Sequence, residues 1–401
     1  MNRIPVDEYV AIVAAHLRDA LAPRTETVDL GKALGRVTVA EVLSPVDLPL
    51  FRNSQMDGFA VRSMDVADSP VTLPVVGIIA AGATDSISLP AGAAMQIMTG
   101  AVIPEGADAV VPVEDTSSTA ATSTAATVTV LRGRAAGEYV RNAGSDARIG
   151  DTLLAAGLTL APRHLAVLAA AGIASVDVRA LPRVAVVTTG AELVAPGVEP
   201  RLGQLFDANG IALAALVESS GAVVSALVRN ADDVVASLDL ALREVAVDTD
   251  LILTSGGISM GEFEVVRELL EPLGATVGTI AMQPGGPQLL GAFHGIPVIG
   301  FPGNPVSTQI SFEVLVAPLL RAAAGRAPAE KTHRTLETAV DSVPGKRQFL
   351  RGRITDGKAV SVVSGPGSHL VAGLATSDVL IDIPAEITRL EAGDTVETWT
   401  L

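Results

Sequence analysis

The sequence predicts a multidomain protein of the α/β plus β class. We expect an α/β domain with a mostly parallel sheet, an all-β insertion, a small helical part and a C-terminal β-domain. The chain has 401 residues, which is too long for one ordinary domain. From about Pro45 to Asp146, short β-branched runs are broken by Gly, Pro and Asp, as in all-β structure. From Pro182 onward, apolar runs alternate with helical patterns, which is typical of βαβ units around a parallel sheet.

The spacing of apolar residues predicts the elements of the first half. Val6 to Leu21 carries apolar side chains at helical spacing, and helical patterning returns at Pro162 to Ala171. The stretch from Asp115 to Thr127 is low in complexity and rich in Ser, Thr and Ala, which predicts a mobile hairpin loop. The predicted strands are Val71 to Ile79, Met95 to Met98, Ala109 to Val113 and Val128 to Leu131.

The second half begins with a continuous apolar run, Val184 to Val187, as expected of a strand buried on both faces. Ala324 to Pro328 indicates a linker, and Thr335 to Leu401 returns to short strands with turns. The predicted elements between the first strand and the linker are a helix at Gly210 to Ser219, a strand at Ala222 to Val228, a helix at Asp232 to Val245, a strand at Leu251 to Thr254, a helix at Glu262 to Leu270, a strand at Ile296 to Phe301 and a long helix after Pro305.

Composition excludes several classes of function. The net charge of −16 argues against broad nucleic-acid binding, because duplex contact needs clustered Lys and Arg. Cysteine is absent, which removes disulfides, thiolate nucleophiles and Cys-ligated metal centres. No apolar run approaches the ~18 residues of a membrane span, and Met1 to Val10 lacks a secretory apolar region. We therefore expect a soluble, cytoplasmic protein without membrane partners.

Three loops follow predicted strands of the α/β domain, where such sheets bind ligands. They are Thr188 to Leu193, Thr254 to Glu262 and Phe301 to Ser307. Their glycines allow close approach of a ligand to the backbone, and Pro305 suits a first helical turn whose free N–H groups bind anions. One such loop could be plain turn geometry, but three at one sheet edge predict a site for an anionic, nucleotide-like ligand.

Two segments of the first half combine polar side chains with turns. Phe51 to Val61 contains Asp57 and Gly58, and Met98 to Ala101 ends a predicted strand with a hydroxyl and a glycine. From spacing alone, an ordinary turn at the end of a strand is the favoured explanation of each segment.

Taken together, these segments resemble the molybdopterin molybdenumtransferase family, which includes the enzymatic domain of gephyrin. The resemblance extends over nearly the whole chain, and the order and spacing of its motifs make it specific. The segments that carry it are Asn53 to Val61, Met98 to Ala101, Gly144 to Asp146, Thr189 to Leu193, Ser255 to Gly261, Pro302 to Ser307, Phe349 to Gly352 and Gly367 to His369.

The resemblance implies a four-part protomer in an elongated homodimer. Its parts are a discontinuous helical domain (residues 1–45 and 146–178), a β-rich insertion (46–145), an α/β molybdopterin-binding domain (179–326) and a C-terminal β-domain (327–401). It implies a site shared between the α/β domain of one subunit and the first half of the other. The implied reaction consumes adenylylated molybdopterin and molybdate, uses Mg²⁺, and releases AMP and the molybdenum cofactor. Molybdopterin adenylyltransferase and molybdoenzymes are the further expected partners.

The resemblance also assigns roles to residues. Cleavage of a phosphoanhydride needs a metal held by carboxylates, and a tetrahedral dianion needs converging donors. The implied catalytic residues are Asp57, Thr99, Asp146 and Glu192. The implied metal ligands are Asp57, Asp146, Glu192, Glu262 and Glu264. The implied molybdate contacts are Pro287, Ser307, Arg351 and Ser368. The implied substrate and nucleotide contacts are Thr189, Gly190, Asp207, Asn209, Ser255, Gly256, Gly257, Ser259, Gly261, Gly303 and Asn304. Helix capping is the alternative role for Asp207 and Asn209.

The sequence departs from the family at one motif above all. Where relatives typically have Lys-Pro-Gly-Lys-Pro, this chain has Gln283 and Gly286 in place of the two lysines. We expect Arg351, with neighbouring Lys346 or Arg347 and free backbone N–H groups, to compensate for the missing charge.

Two other functions remain open from sequence. The isolated α/β domain resembles proteins that adenylylate molybdopterin, although the large first half and the C-terminal β-domain argue against that step. The missing lysines would also suit a non-catalytic cofactor-binding scaffold.

Overall fold

The computed structural model describes residues 3–82, 88–119, 127–230, 232–259 and 264–401. The chain forms two compact units. The large unit comprises Met1–Glu26 and Arg179–Leu401, and the small unit comprises Thr27–Val178. None of the described helices combines the length and the apolar character needed to cross a bilayer.

The elements alternate along the chain largely as the patterns indicate. The α-helices are α1 (Val6–Leu17), α2 (Pro162–Ala170), α3 (Ala208–Ser219), α4 (Val235–Val245), α5 (Val265–Leu270), α6 (Pro305–Leu315), α7 (Ala317–Ala323) and α8 (Val371–Ala375). The strands are β1 (Thr25–Asp29), β2 (Val42–Leu43), β3 (Asn53–Ser54), β4 (Gly58–Val61), β5 (Val71–Ile79), β6 (Ala94–Ile97), β7 (Ala109–Pro112), β8 (Thr116–Thr119), β9 (Thr127–Val130), β10 (Val140–Arg141), β11 (Thr152–Leu154), β12 (Ser175–Arg179), β13 (Arg183–Thr189), β14 (Leu193–Val194), β15 (Leu205–Phe206), β16 (Val223–Asn230), β17 (Leu251–Ser255), β18 (Thr276–Thr279), β19 (Met282–Gln283), β20 (Pro287–Phe293), β21 (Ile296–Phe301), β22 (Lys331–Leu336), β23 (Val340–Asp341), β24 (Arg347–Thr355), β25 (Ala359–Val362), β26 (Val379–Ile383), β27 (Arg389–Leu390) and β28 (Thr395–Thr400).

The large unit contains the predicted, mostly parallel sheet. Its strand order is β16-β13-β17-β21-β20-β18, and the first four strands are parallel. Alternate residues of the central strands face two apolar clusters, one shared with α1, α3, α6 and α7 and the other with α4 and α5. Helices therefore cover both faces, which explains why β13 and β17 are apolar without alternation.

The antiparallel edge of this sheet was not predicted. Strands β20 and β21 form a hairpin whose two turn residues, His294 and Gly295, have φ of 49° and 87°. Two positive φ values are characteristic of a type I′ turn, but His-Gly is a weaker sequence signal for it than Asn-Gly.

Three helix boundaries differ from the sequence-based expectation by three or four residues. Helix α1 ends at Leu17 rather than Leu21, and its buried residues join the core of the large unit. Helix α4 begins at Val235, because the Asp232 carboxylate accepts a hydrogen bond from the Val234 N–H in the preceding turn. Helix α5 begins at Val265.

The C-terminal part of the large unit is the predicted small β-domain, and it is closed. Strands β24, β25, β22, β28 and β26 pair in that order, and β26 pairs back with β24. Strand β19 extends this barrel by pairing in parallel with the start of β24. The barrel core contains Leu350, Val360 and Ile381, among others.

The small unit contains the predicted all-β insertion. Its six-stranded sheet has the order β7-β4-β6-β5-β9-β8, with apolar clusters formed by alternate residues such as Ala60 and Val61. The four strands predicted here lie within one residue of their observed bounds, and β5 matches at both ends. Part of the stretch predicted as a loop, Thr116–Thr119, is instead strand β8, which pairs with β9. Residues 120–126 of that stretch lie outside the described residues. A third apolar cluster packs α2 against residues near the two ends of the small unit.

Candidate active site

The three predicted loops of the large unit lie at one edge of the sheet. Strands β13, β17 and β21 are neighbours, and Thr188, Ser255 and Phe301 are opposite one another in their register. The strand order reverses at β13, because β16 pairs on one side of it and β17 on the other. The loops after β13 and β17 therefore flank the crevice where ligands of such sheets bind.

Glycines allow the first two loops to touch. A Cβ at Gly256 (φ 91°) would lie 2.6 Å from the Thr189 carbonyl oxygen, and one at Gly257 (φ 66°) would lie 2.9 Å from the Thr189 hydroxyl. A side chain at either position would force the loops apart. The carboxylate of Glu192, which is exposed, folds back over Gly190 in the same loop.

The start of α3 connects the loops through side-chain hydrogen bonds. The buried carboxylate of Asp207 caps α3 by accepting from the Gly210 N–H at 2.9 Å, and it accepts from the Thr188 hydroxyl at 2.7 Å. Helix capping, the alternative for Asp207, is therefore what the structure shows. The Asn209 amide donates to the Ser255 hydroxyl at 2.9 Å and to the Gly303 carbonyl at 2.7 Å.

Some buried polar atoms of this edge lack a hydrogen-bond partner within the described part of the chain. The Thr189 hydroxyl and the Asn209 carbonyl oxygen are buried without a hydrogen-bond partner among the described residues. Glu264 accepts from the Ser259 N–H at 2.8 Å, so this predicted metal ligand is engaged by its own loop. Gly261 and Glu262 lie outside the described residues.

The predicted molybdate contacts gather at the start of α6. The Arg351 side chain donates to the Ser364 hydroxyl at 3.2 Å and to the carbonyls of Gly365 and Gly367. The next carbonyl, that of Ser368, accepts from the Val306 N–H at 3.0 Å, beside Ser307. The structure thus brings Arg351, Ser368 and Ser307 to one place.

The turn that ends at Pro287 reaches the same helix. A Cβ at Gly285 would lie 3.6 Å from the Ser307 carbonyl oxygen, and the Gln288 amide donates to both Gly285 O and the Ser311 hydroxyl at 2.8 Å. Pro287 itself is exposed at the start of β20. The turn that replaces the lysine-bearing motif therefore packs on α6, close to Ser307.

Arg351 is a buried cation without a carboxylate partner among the described residues. Its relative exposure is 2%, and burial lowers the pKa of its guanidinium. Arginine nevertheless keeps its charge in proteins, so Arg351 brings a buried positive charge to the start of α6.

The expectation that Arg347 supplies part of the missing charge is wrong. Arg347 donates to both carboxylate oxygens of the buried Asp382, at 2.8 and 2.5 Å, and to Asp7 at 2.7 Å. Two carboxylates neutralise this cation. Lys346 is half-buried and remains the nearest alternative in sequence.

In the small unit, the two polar turns meet. The backbone N–H and the hydroxyl of Thr99 donate to the same oxygen of Asp57, at 2.6 and 2.7 Å, and they lower the pKa of that carboxyl. Gly58 begins β4, where a Cβ would overlap the Val111 carbonyl, and the Gly100 N–H donates to Ser54 O. These contacts fix an exposed, ionised carboxylate beside a hydroxyl.

Asp146 lies in a separate turn of the small unit. Its N–H donates to Leu48 O at 2.9 Å, and its side chain is exposed. Asp47 lies beside Gly144 and accepts from the Ile149 N–H, so its carboxylate stabilises this turn. Within the described residues, no three His, Asp or Glu side chains form a group that could hold a metal ion.

Comparison with protein families covers almost the whole chain. Residues 4–172 match the MoeA N-terminal region (domain I and II), residues 185–322 match a probable molybdopterin binding domain, and residues 334–401 match the MoeA C-terminal region (domain IV).

Individual relatives agree with these matches. A Mycobacterium tuberculosis protein named molybdopterin molybdenumtransferase 2 is 40% identical over 99% of both chains, and the Haemophilus influenzae molybdopterin molybdenumtransferase is 34% identical over 93% of both. The crystal structure of a molybdopterin biosynthesis MoeA protein from Pyrococcus horikoshii is similar with a TM-score of 0.76 and 33% identity, covering 100% of this chain and 99% of that one. The chain therefore belongs to the MoeA family of molybdopterin molybdenumtransferases.

Proposed function

We propose that this protein inserts molybdenum, taken up as molybdate, into adenylylated molybdopterin and releases AMP with the finished cofactor. The observation that carries the proposal is Arg351, a buried guanidinium without a described carboxylate partner, held at the start of α6 beside Ser307 and Ser368. A cation in this position suits an oxyanion, because charge-assisted hydrogen bonds are stronger than neutral ones. The three loops at the sheet edge suit the larger anionic substrate.

The described carboxylates fit a magnesium ion in their chemistry. Mg²⁺ prefers oxygen ligands, and it commonly takes only one or two protein carboxylates together with substrate phosphates and water. Asp57, Asp146 and Glu192 carry exposed carboxylates, and since no three described acidic side chains form one group, one or two of them would hold the ion together with substrate phosphates. The ion would neutralise charge on the phosphoanhydride, while Thr99 would keep Asp57 ionised and oriented.

We further propose a homodimer whose site combines two subunits. Support comes from the division of candidates, since Asp57 and Asp146 belong to the small unit whereas the three loops belong to the large unit. Apolar side chains close in sequence to these candidates are also exposed, including Phe51, Leu205 and Phe206. Such residues commonly mark protein–protein contacts when they cluster. Molybdopterin adenylyltransferase would supply the substrate, and molybdoenzymes would receive the product.

Measuring AMP release from adenylylated molybdopterin, with and without molybdate, tests the proposal. We expect release only when molybdate is present, and Arg351→Ala should raise the molybdate concentration required. Release without molybdate in the wild type would contradict the proposal.

A non-catalytic cofactor-binding scaffold is the second candidate. One observation favours it: Gln283 and Gly286 occupy the positions where relatives typically carry lysines. In that case the protein would bind molybdopterin but release no AMP under any molybdate concentration.

A further inference from the structure

We infer that Thr308 is a positioning residue that orients the second and third substrate loops through its hydroxyl, an inference that rests on the proposed function. Thr308 lies in the first turns of α6 and is fully buried. Its hydroxyl is 2.6 Å from the Pro302 carbonyl oxygen and 3.1 Å from the Ser255 hydroxyl. It therefore lies between the loop after β17 and the loop after β21.

Counting hydrogens gives this contact a direction. A threonine hydroxyl has one hydrogen, and the short distance to Pro302 O assigns it to that carbonyl. Ser255 then donates to Thr308 at 3.1 Å, since its other acceptor, the Pro302 carbonyl oxygen, lies farther away at 3.5 Å. The Ser255 oxygen accepts from the Asn209 amide at 2.9 Å. The result is a relay from Asn209 through Ser255 and Thr308 to Pro302.

The relay acts on backbone that any ligand of this edge must approach. The Asn209 amide also holds the Gly303 carbonyl at 2.7 Å. The carbonyl oxygens of Pro302 and Gly303 thus both accept hydrogen bonds from residues of the relay. A Cβ at Gly303 would lie 3.5 Å from the Gly256 Cα, so the loop after β21 contacts the loop after β17. Loss of the Thr308 hydroxyl would leave buried polar groups unsatisfied at the point where these loops meet.

The α6 helix depends little on this hydroxyl, whose distance to the Asn304 carbonyl oxygen at the start of the same helix is 3.2 Å, against 2.6 Å to the Pro302 carbonyl oxygen. The Thr308 N–H already makes the helical hydrogen bond to Asn304 O at 3.0 Å, and the helix is anchored by Val306, Ile310 and Phe312 in the apolar core. Removing the hydroxyl should therefore change loop geometry more than helix stability. The measurable consequence is weaker substrate binding rather than slower chemistry.

The test compares Thr308→Val, which keeps the shape and removes the hydroxyl, with Thr308→Ser, which restores it. Thr398→Val is the matched control, because Thr398 is equally buried and its hydroxyl donates to Thr332 O at 2.8 Å in the barrel. Molybdopterin binding is measured anaerobically by calorimetry, and kcat and KM by AMP release.

We expect Thr308→Val to bind molybdopterin about tenfold more weakly, with kcat nearly unchanged, as for loss of a buried hydrogen bond. Thr308→Ser and Thr398→Val should bind like the wild type. Wild-type affinity in Thr308→Val, or equal loss in Thr398→Val, would overturn the inference.

Amide hydrogen exchange keeps the inference testable without a ligand. Residues 254–259 and 301–307 should exchange faster in Thr308→Val than in the wild type or Thr398→Val. Ser255→Ala should produce the same change, and combining it with Thr308→Val should increase the exchange no further. Wild-type protein that binds no molybdopterin would contradict the proposed function, and unchanged exchange in Thr308→Val would contradict the role of Thr308.

Discussion

Thr99 donates two hydrogen bonds to a single carboxylate oxygen of Asp57, one from its backbone N–H and one from its hydroxyl. The two residues are 42 positions apart, and each belongs to a polar turn that is unremarkable by itself. Donors to the charged form favour ionisation, and the N–H contributes more than the hydroxyl to lowering the pKa of Asp57. The other carboxylate oxygen accepts no hydrogen bond within the described residues, so it is available to a ligand.

The pH dependence of activity should report this contact. In Thr99→Val the N–H remains but the hydroxyl is lost, so the pKa of Asp57 should rise toward its ordinary value. The acidic limb of kcat/KM for AMP release should then move to higher pH, while Thr99→Ser should keep the wild-type limb. An unchanged limb in Thr99→Val would mean that Asp57 does not control it.

Asp57→Asn should fold normally and lose turnover. The side chain is exposed on a turn, so thermal stability should remain near that of the wild type. If the carboxylate holds a cation or the reacting group, kcat should fall by at least about a hundredfold. Turnover close to normal, measured as AMP release, would remove Asp57 from the mechanism. Asp68→Asn, which changes an exposed carboxylate on another turn of the small unit, is the control.

Mixing two inactive variants should test the shared site. Asp57→Asn and Glu192→Gln alter the small and large units, respectively. If each site combines two subunits, exchange between the variants should restore part of the activity, because some hybrid sites contain both native carboxylates. Proven exchange without rescue would place each site within one subunit.

Gly286→Lys should lower the KM for molybdate. A Cβ at Gly286 would be 3.6 Å from the Thr279 Cγ2, which is ordinary contact, so the backbone accepts a side chain there. A new charge-assisted hydrogen bond of roughly 1.5–3 kcal/mol would lower the KM for molybdate by about tenfold or more. Gly286→Gln adds length without charge and should leave KM unchanged. Equal effects of both variants would show that charge at this position is irrelevant.

Glu313 should make stability depend on pH. Burial raises the pKa of this carboxyl, and Arg321 at 3.6 Å lowers it only in part. Because the folded state holds the proton more tightly than the unfolded chain, stability should fall as pH rises from the unfolded pKa through the raised folded pKa. Glu313→Gln should abolish this fall and melt at a higher temperature than the wild type at neutral pH. Identical melting temperatures of Glu313→Gln and the wild type across this pH range would contradict the prediction. Glu330→Gln, which changes an exposed carboxyl, is the control.

Local patterns in the sequence determined much of the fold. The strand bounds of the insertion, the alternation of strands and helices after Pro182, and the placement of three glycine-containing loops at one sheet edge all followed from periodicity and turn residues. These features depend on neighbours within a few positions, which is why they can be read from one chain. The His-Gly hairpin between β20 and β21 escaped because its turn residues are not the usual ones.

Only the tertiary structure decided which polar groups are free to act. Arg351 was the expected molybdate contact, and Arg347, four residues away, was an alternative source of the missing charge. Arg347 is neutralised by Asp382 and by Asp7, which lies 340 positions away, whereas Arg351 contacts neutral acceptors. Asp207 is used by a helix cap, and Thr308 became visible only through Ser255 and Pro302. The partner of a polar side chain is set by which distant segments pack beside it, because burial penalises any charge or hydrogen-bonding group left unmatched.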